Sequence, residues 1–187
     1  MAHLILHIGS QKTGTTSIQR ALALGREALA NDGVAVLAAG PPEAPLANAN
    51  PLVRTAGRGG DFRADVDPAR AEALLRPPPG AARAVLSAET LFWLHAPEPL
   101  ARLAEIARAR FDGVTVLATL RRQDRLAVSH RRQLIGPKAR PAARFYGLEA
   151  RALPSWRPWF DRLFDYAGKL ALWREAFGAE AVRPWLY

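Results

Sequence analysis

The sequence predicts an α/β fold, a parallel sheet of about five strands with helices on both faces. Three observations carry this. Short apolar runs alternate with amphipathic helical stretches along the chain. The first run is followed at once by a loop rich in glycine and threonine, then by a helix. No internal repeat breaks the alternation. A chain of 187 residues suits a single domain with a real core.

The elements follow in order. His3–Ile8 reads as the first strand. Thr15–Ala30 reads as a helix with Ile18, Leu22 and Leu29 on one face. Asn31-Asp32-Gly33 stops it, and Val34–Ala38 is a buried strand. Residues 40–61 are rich in Pro, Ala, Asn and Gly without a period, which predicts a long loop or a lid over the site. Asp67–Arg76 is a short helix with Asp67 as its N-cap and Pro68 in the first turn. Ala84–Ser87 is a strand, and Pro97–Phe111 a helix with Leu100, Leu103 and Ile106/Ala107 inward and Glu98 and Arg102 outward.

Asp112-Gly113 is expected to turn the chain into Val114–Leu120, the longest β-branched run. Gln123–Ile135 reads as a helix and Gly136–Ala143 as a basic loop. Trp156, Phe160, Leu163, Ala167, Leu170, Trp173 and Phe177 recur at helical steps and read as core, with Gly168 bending or splitting the stretch. Ala181–Tyr187 is the last strand.

Composition narrows the function. Apolar residues make up 49% and charged residues 23% of the chain, the balance of a soluble globular domain. No apolar run approaches the ~20 residues of a membrane span. The start of the chain lacks the basic and apolar regions of a signal peptide, so a cytoplasmic location is expected. With no cysteine, disulfides and thiolate metal sites are excluded. The net charge is +9, and all basic residues but Lys12, Lys138 and Lys169 are arginine. Arginine grips phosphate, sulfate and carboxylate through two parallel hydrogen bonds; a general Arg- and Ala-rich composition is the plainer reading. The arginines are scattered and do not alternate with aromatics, so nucleic acid is not an expected partner.

The chemistry concentrates in Gly9-Ser10-Gln11-Lys12-Thr13-Gly14-Thr15-Thr16-Ser17. A helix N-terminus presents unpaired N–H groups and a positive dipole end, which bind anions. Gly9 and Gly14 let the backbone come close to a ligand. Lys12 adds a charge, and Ser10, Thr13, Thr15, Thr16 and Ser17 add hydroxyls, beside Gln11. The nucleotide-triphosphate loop G-x-x-x-x-G-K-[ST] puts lysine directly after its second glycine. Here Lys12 lies two residues before Gly14.

The pattern G-x-x-K-T-G-T-T instead resembles the 5′-phosphosulfate loop of sulfotransferases that use 3′-phosphoadenosine-5′-phosphosulfate (PAPS). The string HIGSQKTGTTSIQ is most similar to the bacterial carbohydrate-type branch. The segment VTVLATLRRQDRLAVSHRRQ resembles the family's 3′-phosphate region, where an arginine at a strand end and a serine eight residues later hold that phosphate. The spacing assigns these roles to Arg121 and Ser129 rather than Arg122. In the family the serine also holds the loop lysine, here Lys12, until substrate arrives. LSAE resembles a Ser-x-Glu stretch of bacterial relatives, and FDYAGKLALWREAFGAEAVRPWLY resembles their closing helix and Arg-Pro strand. The match is tightest over 5–20 and 114–133. Members usually continue past that strand, so this chain is expected to be a C-terminally short form.

The resemblance implies a P-loop kinase-like sheet, PAPS as donor, 3′-phosphoadenosine-5′-phosphate (PAP) as product, no metal, and an acceptor hydroxyl on a carbohydrate or glycolipid. A homo-oligomer is left open. Lys12 would neutralise the leaving oxygen, and Thr15 and Thr16 would hold the phosphate and sulfuryl oxygens. Glu89 is the candidate base, with His7 and His95 as alternatives. His7 has a structural reading as well, and His95 and His130 are expected at the surface. Two other functions stay open: a deviant P-loop kinase or NTPase, and a non-catalytic binder of PAP.

Overall fold

The computed structural model describes residues 2–57, 62–135 and 162–187. Five strands build one sheet: β1 (Ala2–His7), β2 (Val34–Leu37), β5 (Arg83–Ser87), β6 (Phe111–Leu120) and β7 (Val182–Leu186). Their order is β2-β5-β1-β6-β7, and every neighbouring pair is parallel. Helices α1 (Thr15–Leu24), α2 (Arg26–Asn31), α3 (Pro68–Leu74), α4 (Pro97–Arg108), α5 (Gln123–Ile135) and α6 (Tyr166–Phe177) flank it. The central strands read as continuous apolar runs because both sheet faces are covered. Leu4, Leu6, Leu86, Val116 and Ala118 are fully buried, as is Trp173 of α6, whose ring stacks on Phe177.

This order sets the site. From β1 the chain runs to β2 on one side of the sheet; from β6 it runs to β7 on the other. A crevice therefore opens between the carboxyl ends of β1 and β6, where open α/β sheets take their ligands.

Several expectations are corrected. The first helix breaks at Gly25, and its buried residues are Thr15 and Gln19 rather than an apolar stripe, because α1 packs on the polar end of β5. Asp112 and Gly113 do not turn the chain. They lie inside β6 as a bulge, with Ala2 facing Phe111 and His3 facing Gly113. A β-carbon at Gly113 would come within 2.8 Å of the His3 ring, so glycine is needed there.

The loop expected over 40–61 holds a 3₁₀ turn (Asn50–Leu52) and a strand, β3 (Val53–Ala56), paired antiparallel with β4 (Arg63–Val66). Val53 and Thr55 are too few to show a period in that Pro- and Gly-rich window. Gly168 lies within the first turn of α6, where its N–H is held by the N-cap Asp165. The expected basic loop at 136–143, Trp156 and Phe160 lie outside the described residues.

Candidate active site

His7, at the carboxyl end of β1, is 3% exposed and organises the crevice. Its Nδ1 lies 2.8 Å from Ser87 Oγ of β5, and its Nε2 lies 3.1 Å from Thr119 Oγ1 of β6. Donor and acceptor capacity then orders the whole chain of contacts. Thr13 Oγ1 donates to the Ser10 carbonyl and so accepts from the Thr119 hydroxyl. Thr119 therefore accepts from His7 Nε2–H, and His7 Nδ1 accepts from the Ser87 hydroxyl, which itself accepts from Gln19 Nε2. Three strand ends and the loop are locked together with every member satisfied.

Burial pushes the His7 imidazole down to about 4. Burial likewise pushes His130 down to about 3, and the Lys12 charge adds to it. Both rings are neutral in the fold at neutral pH and gain protons on unfolding, so the unfolded chain binds more protons below about 6.5. Stability is thus expected to be full above pH 6.5 and to fall as the pH drops toward 4. Urea midpoints at pH 7 and pH 5 test this. A lower midpoint at pH 5 is expected; equal midpoints would mean that these rings are hydrated in the folded chain.

The loop after β1 needs its glycines. A β-carbon at Gly9 would collide with Thr119 Oγ1 and come within 2.9 Å of His7 Nε2 and 3.0 Å of Thr13 Oγ1. Gly14 has φ 74 and opens α1 without any side-chain cap. Lys12 adopts φ 68, a left-handed backbone in a non-glycine residue, which costs free energy and persists only where neighbours hold it. Arg121 does so: its Nη1 donates to the Lys12 carbonyl at 2.9 Å.

Of the adjacent arginines, Arg121 turns to the loop. Arg122 is exposed and grips Asp124 with two bonds of 2.6 and 2.7 Å. Tyr166 Oη donates to the Arg121 carbonyl at 2.6 Å, and the Tyr187 ring lies 5.8 Å from the Arg121 guanidinium and against Gly14.

Glu89 begins the 3₁₀ turn Glu89–Trp93 after β5. Its Oε2 accepts from Thr15 Oγ1 at 2.7 Å, which sets a carboxylate on the first residue of α1. Thr16 and Ser17 are exposed, while Gln11, Lys12 and Ser129 are half-buried. The structure therefore gathers the loop 9–17, Glu89 and Arg121 at one edge. Ser129 lies on α5, directly before His130.

A solved sulfotransferase shares this fold. The crystal structure of a sulfotransferase from Alicyclobacillus acidocaldarius matches over 97% of this chain and 72% of that one, with a TM-score of 0.55 and 15% sequence identity. No family model matches the chain, and no curated protein does. The likeness establishes the architecture, a P-loop kinase-like parallel sheet flanked by helices. Among the described residues no helix is long and apolar enough to cross a membrane, and no three His, Cys, Asp or Glu residues cluster to hold a metal.

Two histidines differ from expectation. His130 is fully buried rather than on the surface. His95 is half-buried and lies 2.7 Å from the buried Lys169 Nζ; burial pushes His95 down to about 3 and Lys169 down to about 7. Lys169 had no assigned part; its Nζ also donates to the Phe92 carbonyl at 2.6 Å. Thr119, Ser87 and Gln19 were missed too. Their one signal was that three apolar runs each carry a polar residue in their last two positions: His7, Ser87 and Thr119.

Proposed function

We propose that the chain moves a sulfuryl group from PAPS to an acceptor hydroxyl of a carbohydrate or glycolipid. The observation that supports this most is the pairing of an uncapped helix N-terminus and Lys12 on one side of the crevice with Arg121 on the other, beside the Glu89 carboxylate. The loop fits such a donor. Gly14 gives α1 no side-chain cap, so the first N–H groups of the helix remain for anionic oxygens. Likeness of fold to a solved sulfotransferase adds to the reading.

When bound, PAPS supplies an activated sulfuryl group and departs as PAP with negative charge on the oxygen that bridged phosphorus and sulfur. Lys12 neutralises that charge, and Thr16, the backbone N–H of Thr15 and the other loop N–H groups bind the surrounding oxygens, the Thr15 hydroxyl proton being held by Glu89. Arg121 and Ser129 bind the 3′-phosphate. Glu89 accepts the proton of the acceptor hydroxyl as that oxygen bonds to sulfur, and Thr15 orients its carboxylate. His7 holds the loop and takes no proton, since both its nitrogens are engaged in the buried chain.

Transfer of labelled sulfate from PAPS to a panel of hydroxylated sugars and glycolipids tests the reading. Labelled product is expected. Tight PAP binding with no transfer to any acceptor would reduce the chain to a binding module. Glu89→Gln is expected to lower turnover about 100-fold with donor affinity nearly unchanged; unchanged turnover would move the base elsewhere. Arg121→Ala is expected to weaken PAP binding about tenfold or more and adenosine 5′-phosphate by clearly less, the smaller loss coming from the freed Lys12 carbonyl. Equal losses for both would remove Arg121 from the 3′-phosphate.

A further inference from the structure

A cavity lies on residues that follow the carboxyl end of β5. It has a volume of about 410 Å³ and opens between the start of α4 and the β3–β4 hairpin. His95, Arg63, Arg102, Arg162, Asp65 and Glu98 contribute its polar lining. Arg102 is bound to Asp65 at 3.3 Å. Among the described residues neither Arg63 nor Arg162 has a carboxylate partner, so the unpaired charge is two guanidiniums against Glu98. The Arg162 charge is close enough to His95 to act on its imidazole.

His95 shapes one wall. Its Nδ1 lies 2.7 Å from Lys169 Nζ. Burial, with the Lys169 and Arg162 charges adding to it, pushes the imidazole down to about 3. The ring is therefore neutral at neutral pH and leaves the positive charge of the wall to the two arginines.

We infer that this cavity is an anion subsite which takes the carboxylate of an acidic sugar, Arg63 and Arg162 gripping the carboxylate and the neutral His95 forming part of the wall. Its place suits an acceptor, a statement that rests on the proposed sulfuryl transfer. Glu89 and Trp93 end the same 3₁₀ turn, and at about 2 Å rise per residue that turn is about 8 Å long. The cavity therefore lies about one turn's length from the candidate base, within the span of a bound sugar chain.

The test uses the whole chain, labelled with ¹⁵N and titrated with D-glucuronate or with glucose. Glucuronate is expected to shift amides of 63–65 and 93–98, and glucose to leave them in place. Arg63→Ala and Arg162→Ala, both at exposed positions, are each expected to weaken the glucuronate response about tenfold. Equal responses to both sugars, or arginine variants that bind glucuronate as well as the parent, would overturn the inference. So would shifts confined to residues 9–17. A parallel titration with PAP, read at residues 9–17, keeps the two readings apart. Failure of PAP alone would undo the donor assignment and leave the carboxylate subsite standing.

Discussion

Lys12→Ala is expected to lower turnover by about 10²–10³-fold at saturating donor, the usual loss when one preorganised charge-stabilising group is removed. The melting temperature should hardly move. The Lys12 side chain is half-buried and its backbone is held by Arg121 through the Lys12 carbonyl, which alanine retains. The left-handed φ of 68 stays in the variant, so the strain is common to both chains. A loss of activity without a loss of stability separates a chemical role from a structural one. Turnover within a few-fold of the parent would remove Lys12 from the reaction.

Gly9→Ala should do the reverse in order of cause. The added methyl meets Thr119 Oγ1 in the middle of the buried chain that links Gln19, Ser87, His7, Thr119, Thr13 and Ser10. Threonine is branched at its β-carbon and stiff, so Thr119 cannot swing aside without breaking its contacts to both His7 and Thr13. Overpacking of this kind costs about 3 kcal/mol, which for a chain of this size is a fall of about 6–12 °C in Tm. The loop should lose its shape at the same time, and with it PAP binding. A thermal scan and a PAP titration of the variant check both; an unchanged Tm would mean that the chain of contacts is loose.

Much of the architecture was legible because it is written locally. Strands β1, β2, β5, β6 and β7 are short apolar runs, and the loop 9–17 announces itself through two glycines and a lysine among hydroxyls. Glu89 and Arg121 could be placed at the ligand edge because each follows a strand end in a parallel sheet. What stayed hidden depends on pairs far apart in the chain. His7 meets Ser87 across 80 residues and Thr119 across 112.

The burial of His130, the half-burial of His95 and its contact with Lys169 are set by helix packing that no local pattern encodes. Asp112-Gly113 carries a turn signature, yet β1 pairing overrides it and makes a bulge. The β3–β4 hairpin was masked by its Pro- and Gly-rich surroundings.

The central claim is that the crevice between β1 and β6 takes an adenylate bearing both a 5′-phosphate and a 3′-phosphate. Thermal stabilisation of the intact chain by PAP, set beside ATP with Mg²⁺, tests it most directly. The account predicts a rise in Tm with PAP that Lys12→Ala and Arg121→Ala each reduce, and little change with ATP and Mg²⁺. Stabilisation by ATP and Mg²⁺ with none from PAP would contradict it and point to a kinase or NTPase instead.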